Sequence, residues 1–193
     1  MKNIKHTVLS SFVILFTLSG CSRDDDEFYN SFYTNIQGLV TLETQNSYEI
    51  NDVLWINTDN FSRFLNEPGQ STPLDVYTTS KAQRFKFTFY LEKQIGNNWE
   101  LINIGNNFVS ELGTVNEIFG VTAYAIYNQT DERYEFRTGI RLAESGNYRL
   151  SFPSGYNYTN FDMISENPAE STFLTIATTF SNLNGNEYTF TVN

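Results

Sequence analysis

Histidine occurs once in this 193-residue chain, as His6, and cysteine once, as Cys21. Both fall within the first 21 residues, so nothing from Ser22 onward contains either. That double absence removes from the body of the chain the Ser-His-Asp and Cys-His arrangements of nucleophilic catalysis. It also removes the Cys and His ligands of ordinary zinc sites, haem or iron–sulfur ligation through those residues, and disulfides. Positive charge is scarce as well. Twelve Lys and Arg stand against 22 Asp and Glu, giving a net charge of −10 and a pI near 4.5. Such a chain repels a phosphate backbone, so nucleic acid is not an expected partner. No apolar run approaches the roughly 20 residues that a membrane-spanning helix needs. The longest, Val8 to Leu18, has 11. Proline is sparse at four residues, and the one biased tract is a short acidic one, so the rest reads as folded chain. Its length suits one domain with a core of its own.

What is present begins with residues 1–20. Lys2, Lys5 and His6 form a basic start, Val8 to Leu18 an apolar stretch of signal-peptide length, and Ser19 and Gly20 small residues ahead of Cys21. Leu18-Ser19-Gly20-Cys21 resembles the lipobox of bacterial lipoproteins. The resemblance implies that the Cys21 thiol takes a diacylglycerol and becomes the new amino terminus. Acyl chains contribute about 0.8 kcal/mol per buried CH₂, and two chains hold a protein firmly on a membrane. Removal of residues 1–20 leaves 173 residues. The loss of Lys2 and Lys5 moves the formal charge from −10 to −12.

Residues 21–30 then form a tether containing Asp24-Asp25-Asp26-Glu27, whose like charges repel and stay solvated. An acidic cluster just after a lipidated cysteine resembles the export signal of surface lipoproteins in Bacteroidetes-type bacteria, with Arg23 interrupting the pattern. Ser22 stands where an inner-membrane retention signal would carry Asp. The resemblance implies a lipid anchor in the outer membrane facing the cell surface, with the periplasmic face as the alternative.

Residues 31–193 show the period of β-strands. Arg84 to Lys93 is the clearest, with Phe85, Phe87, Phe89 and Leu91 alternating with Lys86, Thr88, Tyr90 and Glu92. Gly96-Asn97-Asn98 supplies a turn, and Trp99 to Ile104 returns. Other predicted strands are Ile36 to Leu42 and Tyr48 to Thr58, a short edge strand at Leu74 to Tyr77, and Tyr148 to Phe152. Two further hairpins are predicted, one from Val121–Tyr127 to Arg133–Leu142 and one from Thr172–Phe180 to Tyr188–Val192. Helical turns are allowed only at Phe61 to Leu65 and within Phe108 to Phe119. About eight to ten antiparallel strands with regular turn signals predict an all-β fold, a β-sandwich.

Leu142-Ala143-Glu144-Ser145-Gly146-Asn147-Tyr148 resembles the Leu-x-x-x-Gly-x-Tyr corner of immunoglobulin-like sandwiches, with Leu150 where antibody domains carry a cysteine. The resemblance implies that Gly146 permits a tight crossing and that the Tyr148 hydroxyl closes it on backbone. With lipobox, acidic tether and corner together, the chain resembles the immunoglobulin-like surface lipoproteins of Bacteroidetes-type bacteria. That group has no established activity to lend.

Aromatic side chains are the best candidates for recognition. Trp55 and Trp99 invite a carbohydrate-stacking role, which Tyr77, Tyr90, Tyr124 and Tyr127 could share, although each tryptophan lies within or beside an apolar run, as core aromatics do. Tyr156, Tyr158 and Phe161 lie in a polar, irregular stretch of the kind that carries recognition residues, and join Trp99 as candidate ligand-binding positions. Acid–base chemistry would have to come from carboxylates, with Glu111, Glu117, Asp131, Glu132, Glu135, Glu144, Asp162 and Glu166 available but no spacing that selects a pair. No calcium loop of the Asp-x-Asp-x-Asp-Gly kind occurs, so no cofactor is expected, with calcium through oxygen ligands left open. The expectation is a lipid-anchored binding or structural module of the cell envelope and not an enzyme. It would meet the membrane through its lipid and a polysaccharide or an outer-membrane protein through its body. A carboxylate-dependent glycoside hydrolase is the alternative.

Overall fold

The computed structural model describes residues 30–154, 159–166, 168 and 172–193. The chain is an all-β sandwich organised on one strand, β6 (Arg84–Ile95), whose alternating phenylalanines bury one face completely. Twelve residues are long enough for β6 to serve two neighbourhoods of the same sheet. Its first half lies between β10 (Val121–Asn128) and β14 (Phe161–Glu166). Its second half lies between β13 (Gly146–Ser151) and β7 (Asn98–Leu101). The sheet continues from β14 to β15 (Thr172–Thr178) and β1 (Asn30–Asn35), from β13 to β16 (Glu187–Val192), and from β10 to β9 (Thr114–Glu117) and β11 (Arg133–Glu135).

The facing sheet has the order β2 (Thr41–Glu43), β3 (Val53–Asn57), β12 (Arg137–Arg141), β8 (Phe108–Leu112). A two-stranded ribbon, β4 (Phe64–Leu65) with β5 (Leu74–Asp75), completes sixteen strands among the described residues. Between the sheets, one apolar cluster joins Phe85, Phe87 and Phe89 to Leu54, Ile56, Phe136, Ile140, Phe152, Phe161 and Phe180. Most of its rings meet edge-on or tilted, as for Phe87 on Phe136 at 5.3 Å and Phe152 on Phe180 at 4.8 Å, an arrangement that ring quadrupoles favour.

Several sequence expectations are corrected. Strands are more numerous and shorter than eight to ten because segments that read as one strand change sheets. The stretch from Arg133 to Leu142 pairs with β10 only through β11, crosses the core at the buried Phe136, and joins β3 as β12. The last two strands are not a hairpin, since β15 lies between β14 and β1 while β16 pairs with β13. The pairing of β1 with β15 is parallel. No helical turn is assigned from Phe61 to Leu65, where β4 forms instead. The predicted edge strand Leu74 to Tyr77 is strand only as β5, and from Val76 it gives way to the one α-helix among the described residues, α1 (Val76–Ser80), because Asp75 caps it by accepting the Thr78 amide at 2.9 Å. Phe108 to Phe119 is extended as β8 and β9, after a single 3₁₀ turn at Gly105–Asn107.

Candidate functional site

Strand register places four strands, β16, β13, β6 and β7, side by side with one face turned away from the core. Thr191, Asn147, Gln94 and Trp99 form one row across that face, and Thr189, Arg149, Glu92 and Leu101 the next. Glu187, Ser151 and Tyr90 form the third. Side chains within the rows and between them are linked. The Thr191 hydroxyl donates to Asn147 Oδ1 at 2.8 Å, and the Asn147 amide donates to Gln94 Oε1 at 3.0 Å. The Arg149 guanidinium forks onto Glu92 through Nε and Nη2 at 2.7 and 2.8 Å, and Ser151 donates to the same carboxylate at 3.2 Å. The paired Arg149 holds the Glu92 carboxyl below its ordinary range, so it is ionised at neutral pH.

Trp99 closes one edge of this polar field. It is half-buried, and the Arg149 guanidinium lies over its ring, 5.0 Å from the centroid. Arg149 therefore holds the indole and the carboxylate in one fixed assembly. Tyr90 is flattened for a different reason. At Gly120, with φ +117°, an added Cβ would stand 2.3 Å from the Tyr90 ring, so the bare glycine is what lets that ring lie against the backbone. The turn that Gly120 ends carries Ile118 and Phe119, 72% and 88% exposed. Its entry is fixed by Glu117, whose carboxylate accepts the amides of Ile104 and Gly105 at 2.7 and 2.8 Å. The result is a field of amides, hydroxyls and a cation shared by two carboxylates, with aromatic rings at its margin.

The other sequence candidates lie elsewhere. Phe161, read as a surface aromatic, is buried at the start of β14, where the strand alternation turns it against Phe152 at 4.7 Å. Tyr156, Tyr158 and Cys21 fall outside the described residues. Trp55 is half-buried on the outer face of the second sheet, under the Arg137 guanidinium at 4.6 Å, so neither tryptophan belongs to the buried core. Tyr77 stacks on Tyr127 at 4.3 Å, and Tyr124 lies under Arg84 at 4.8 Å. At the corner, the Tyr148 hydroxyl donates to the Glu144 carbonyl at 2.9 Å, and Gly146 has φ +143°.

Of the eight candidate carboxylates, seven are engaged. Glu111, Glu132, Glu144 and Glu166 pair with Arg137, Arg63, Lys93 and Arg84. Asp131 and Glu135 accept from Asn128, and Glu117 holds its turn. Asp162 alone has no partner among the described residues, and burial pushes its carboxyl up. Among the described residues no three acidic side chains gather as a metal site. Glu92, Arg149, Asn147 and Thr191 were not legible as site residues. The alternation of Arg84 to Lys93 puts Tyr90 and Glu92 on a wet face, but only the pairing of β13 and β16 brings the others beside them.

Fold and face together define a β-sandwich with an aromatic-edged polar sheet surface. No family model, curated protein or solved structure matches the chain.

Proposed function

We propose that this protein is a lipid-anchored cell-envelope module that binds a neutral polysaccharide on the outer face of β16, β13, β6 and β7. The observation that carries this reading is the three-row field beside Trp99. Its amides and hydroxyls match the hydrogen-bonding groups of a sugar, while Trp99 and Tyr90 offer rings for the apolar faces of pyranoses. Arg149 and Glu92 are already locked, so little side-chain entropy is lost on binding. Neighbouring strands lie about 4.8 Å apart, so four of them present roughly 15 Å of width, room for a short run of sugar rings. One cation against two carboxylates on the face, within a chain of net charge −10, favours an uncharged polymer over an acidic one. The lipobox-like Leu18 to Cys21 supports the membrane anchor, and the acidic tether supports display on the cell surface.

Affinity electrophoresis through gels containing neutral polysaccharides tests the reading. At least one polymer should retard the protein, and Trp99→Ala should abolish that retardation while leaving the melting temperature within a few degrees. Retardation by none of a broad panel, or equal retardation of Trp99→Ala, contradicts it. Release of reducing sugar during the incubation would point to hydrolysis instead.

A further inference from the structure

The inward-facing series of β6 runs Phe85, Phe87, Phe89, Leu91 and then Lys93, before the exposed Ile95 at the strand's end, so a cation follows the apolar series into the mouth of the sandwich. Gly146 makes room for it, since a Cβ there would stand 2.8 Å from Lys93 Cε. The Lys93 side chain is only 17% exposed, and its ammonium ends 5.5 Å from the centre of the Tyr148 ring. It opens on a cleft of about 150 Å³, floored by Leu91, Ile102, Ile140 and Leu142 and rimmed by Asn103, Asn107 and Arg141.

The polar rim is short of partners. Arg141 is one of three Lys or Arg residues, with Lys81 and Arg133, that make no ion pair among the described residues. Neither Asn103 nor Asn107 makes a side-chain hydrogen bond among the described residues. Lys93 is paired, at 2.6 Å, but with Glu144, whose side chain is 73% exposed and reaches in from the solvent side. A carboxylate that is free to swing out occupies the position that a ligand's carboxylate would take.

We propose that this cleft binds a small monocarboxylate with an aromatic or compact apolar body. Its acid group would sit on Lys93 in place of Glu144, and its body on the apolar floor. This site is separate from the polysaccharide face, because Lys93 points inward from β6 while Glu92 and Gln94 point outward.

Benzoate, with benzamide as its uncharged isostere, is the probe, titrated into the purified protein by calorimetry or ligand-observed NMR. Benzoate should bind saturably, and benzamide at least tenfold more weakly. Glu144→Gln removes the competing carboxylate and should tighten benzoate several-fold, whereas Lys93→Met should weaken it at least tenfold. Trp99→Ala should bind benzoate as the parent does. The proposal is overturned by absence of saturable benzoate binding, by equal binding of benzamide, or by a Glu144→Gln variant that binds benzoate no better than the parent. Loss of benzoate binding in Trp99→Ala would overturn the placement in the cleft. Because Glu144→Gln alters only an exposed side chain, the test survives even if Lys93→Met fails to fold.

Discussion

Replacing Tyr148 with phenylalanine removes one oxygen and leaves the rest of the corner in place. The ring of Tyr148 is buried, 3% exposed, and stacks on Phe190 with centroids 5.6 Å apart, a contact that phenylalanine retains. What is lost is the 2.9 Å bond from its hydroxyl to the Glu144 carbonyl. A net intramolecular hydrogen bond contributes about 0.5–1.5 kcal/mol, and an acceptor left without a partner in the interior costs about 1–3 kcal/mol. The Glu144 carbonyl lies at a solvent-facing corner where water can replace the hydroxyl, so the lower range applies, about 1–1.5 kcal/mol. For a chain of this length that lowers the melting temperature by about 2–6 °C. In urea the slope should not change, and the midpoint should fall by roughly 0.5–1 M. Tyr148→Leu should cost about 1 kcal/mol more, because it also loses the stack. A Tyr148→Phe midpoint equal to that of the parent would refute the reasoning and leave the ring alone as the reason for this tyrosine.

Three other perturbations have signs fixed by the structure. In Gly139→Ala, the added methyl would stand 2.2 Å from Val53 Cγ1 and 3.0 Å from the Trp55 ring, so the variant should lose about 1–3 kcal/mol in urea melts. Arg63 beside Asp75 holds that carboxyl down at about 2, against about 3.9 unfolded, so its contribution is complete above pH 4 and lost as the pH falls towards 2. Asp75→Asn should therefore flatten the fall in stability over that window. An unchanged slope would show that the pair contributes nothing. Asp162 has the opposite sign, because burial raises its carboxyl and the folded state resists its ionisation. Asp162→Asn should raise the urea midpoint at pH 7 and leave it unchanged at pH 3, and equal effects at both would rule out a charge-based cause.

What was legible in the sequence was whatever depends on neighbours along the chain. The alternation from Phe85 to Leu91 specifies β6 and its buried face, and Gly96-Asn97 specifies the turn to β7. The Gly146 and Tyr148 spacing places the corner, because its closing bond spans only four residues. What was hidden depends on partners far apart in sequence. Nothing local in Arg133 to Leu142 reveals that Phe136 carries the chain from one sheet to the other. Nothing in Phe161 separates a loop aromatic from a strand aromatic until β15 and β6 are set beside it. The polar field was hidden for the same reason. Asn147 and Arg149 look like ordinary strand residues until Gln94 and Glu92 stand opposite them.

The central claim is that the face edged by Trp99 contacts a polysaccharide. The chain has only two tryptophans, so a Trp55→Phe variant reports Trp99 alone. Its emission should be followed as a neutral polysaccharide that retards the parent protein is titrated in. Binding on this face predicts a saturable shift or quench of Trp99 emission over the concentrations that cause retardation. Emission that stays constant while the polymer is bound would contradict it and place the ligand elsewhere on the sandwich.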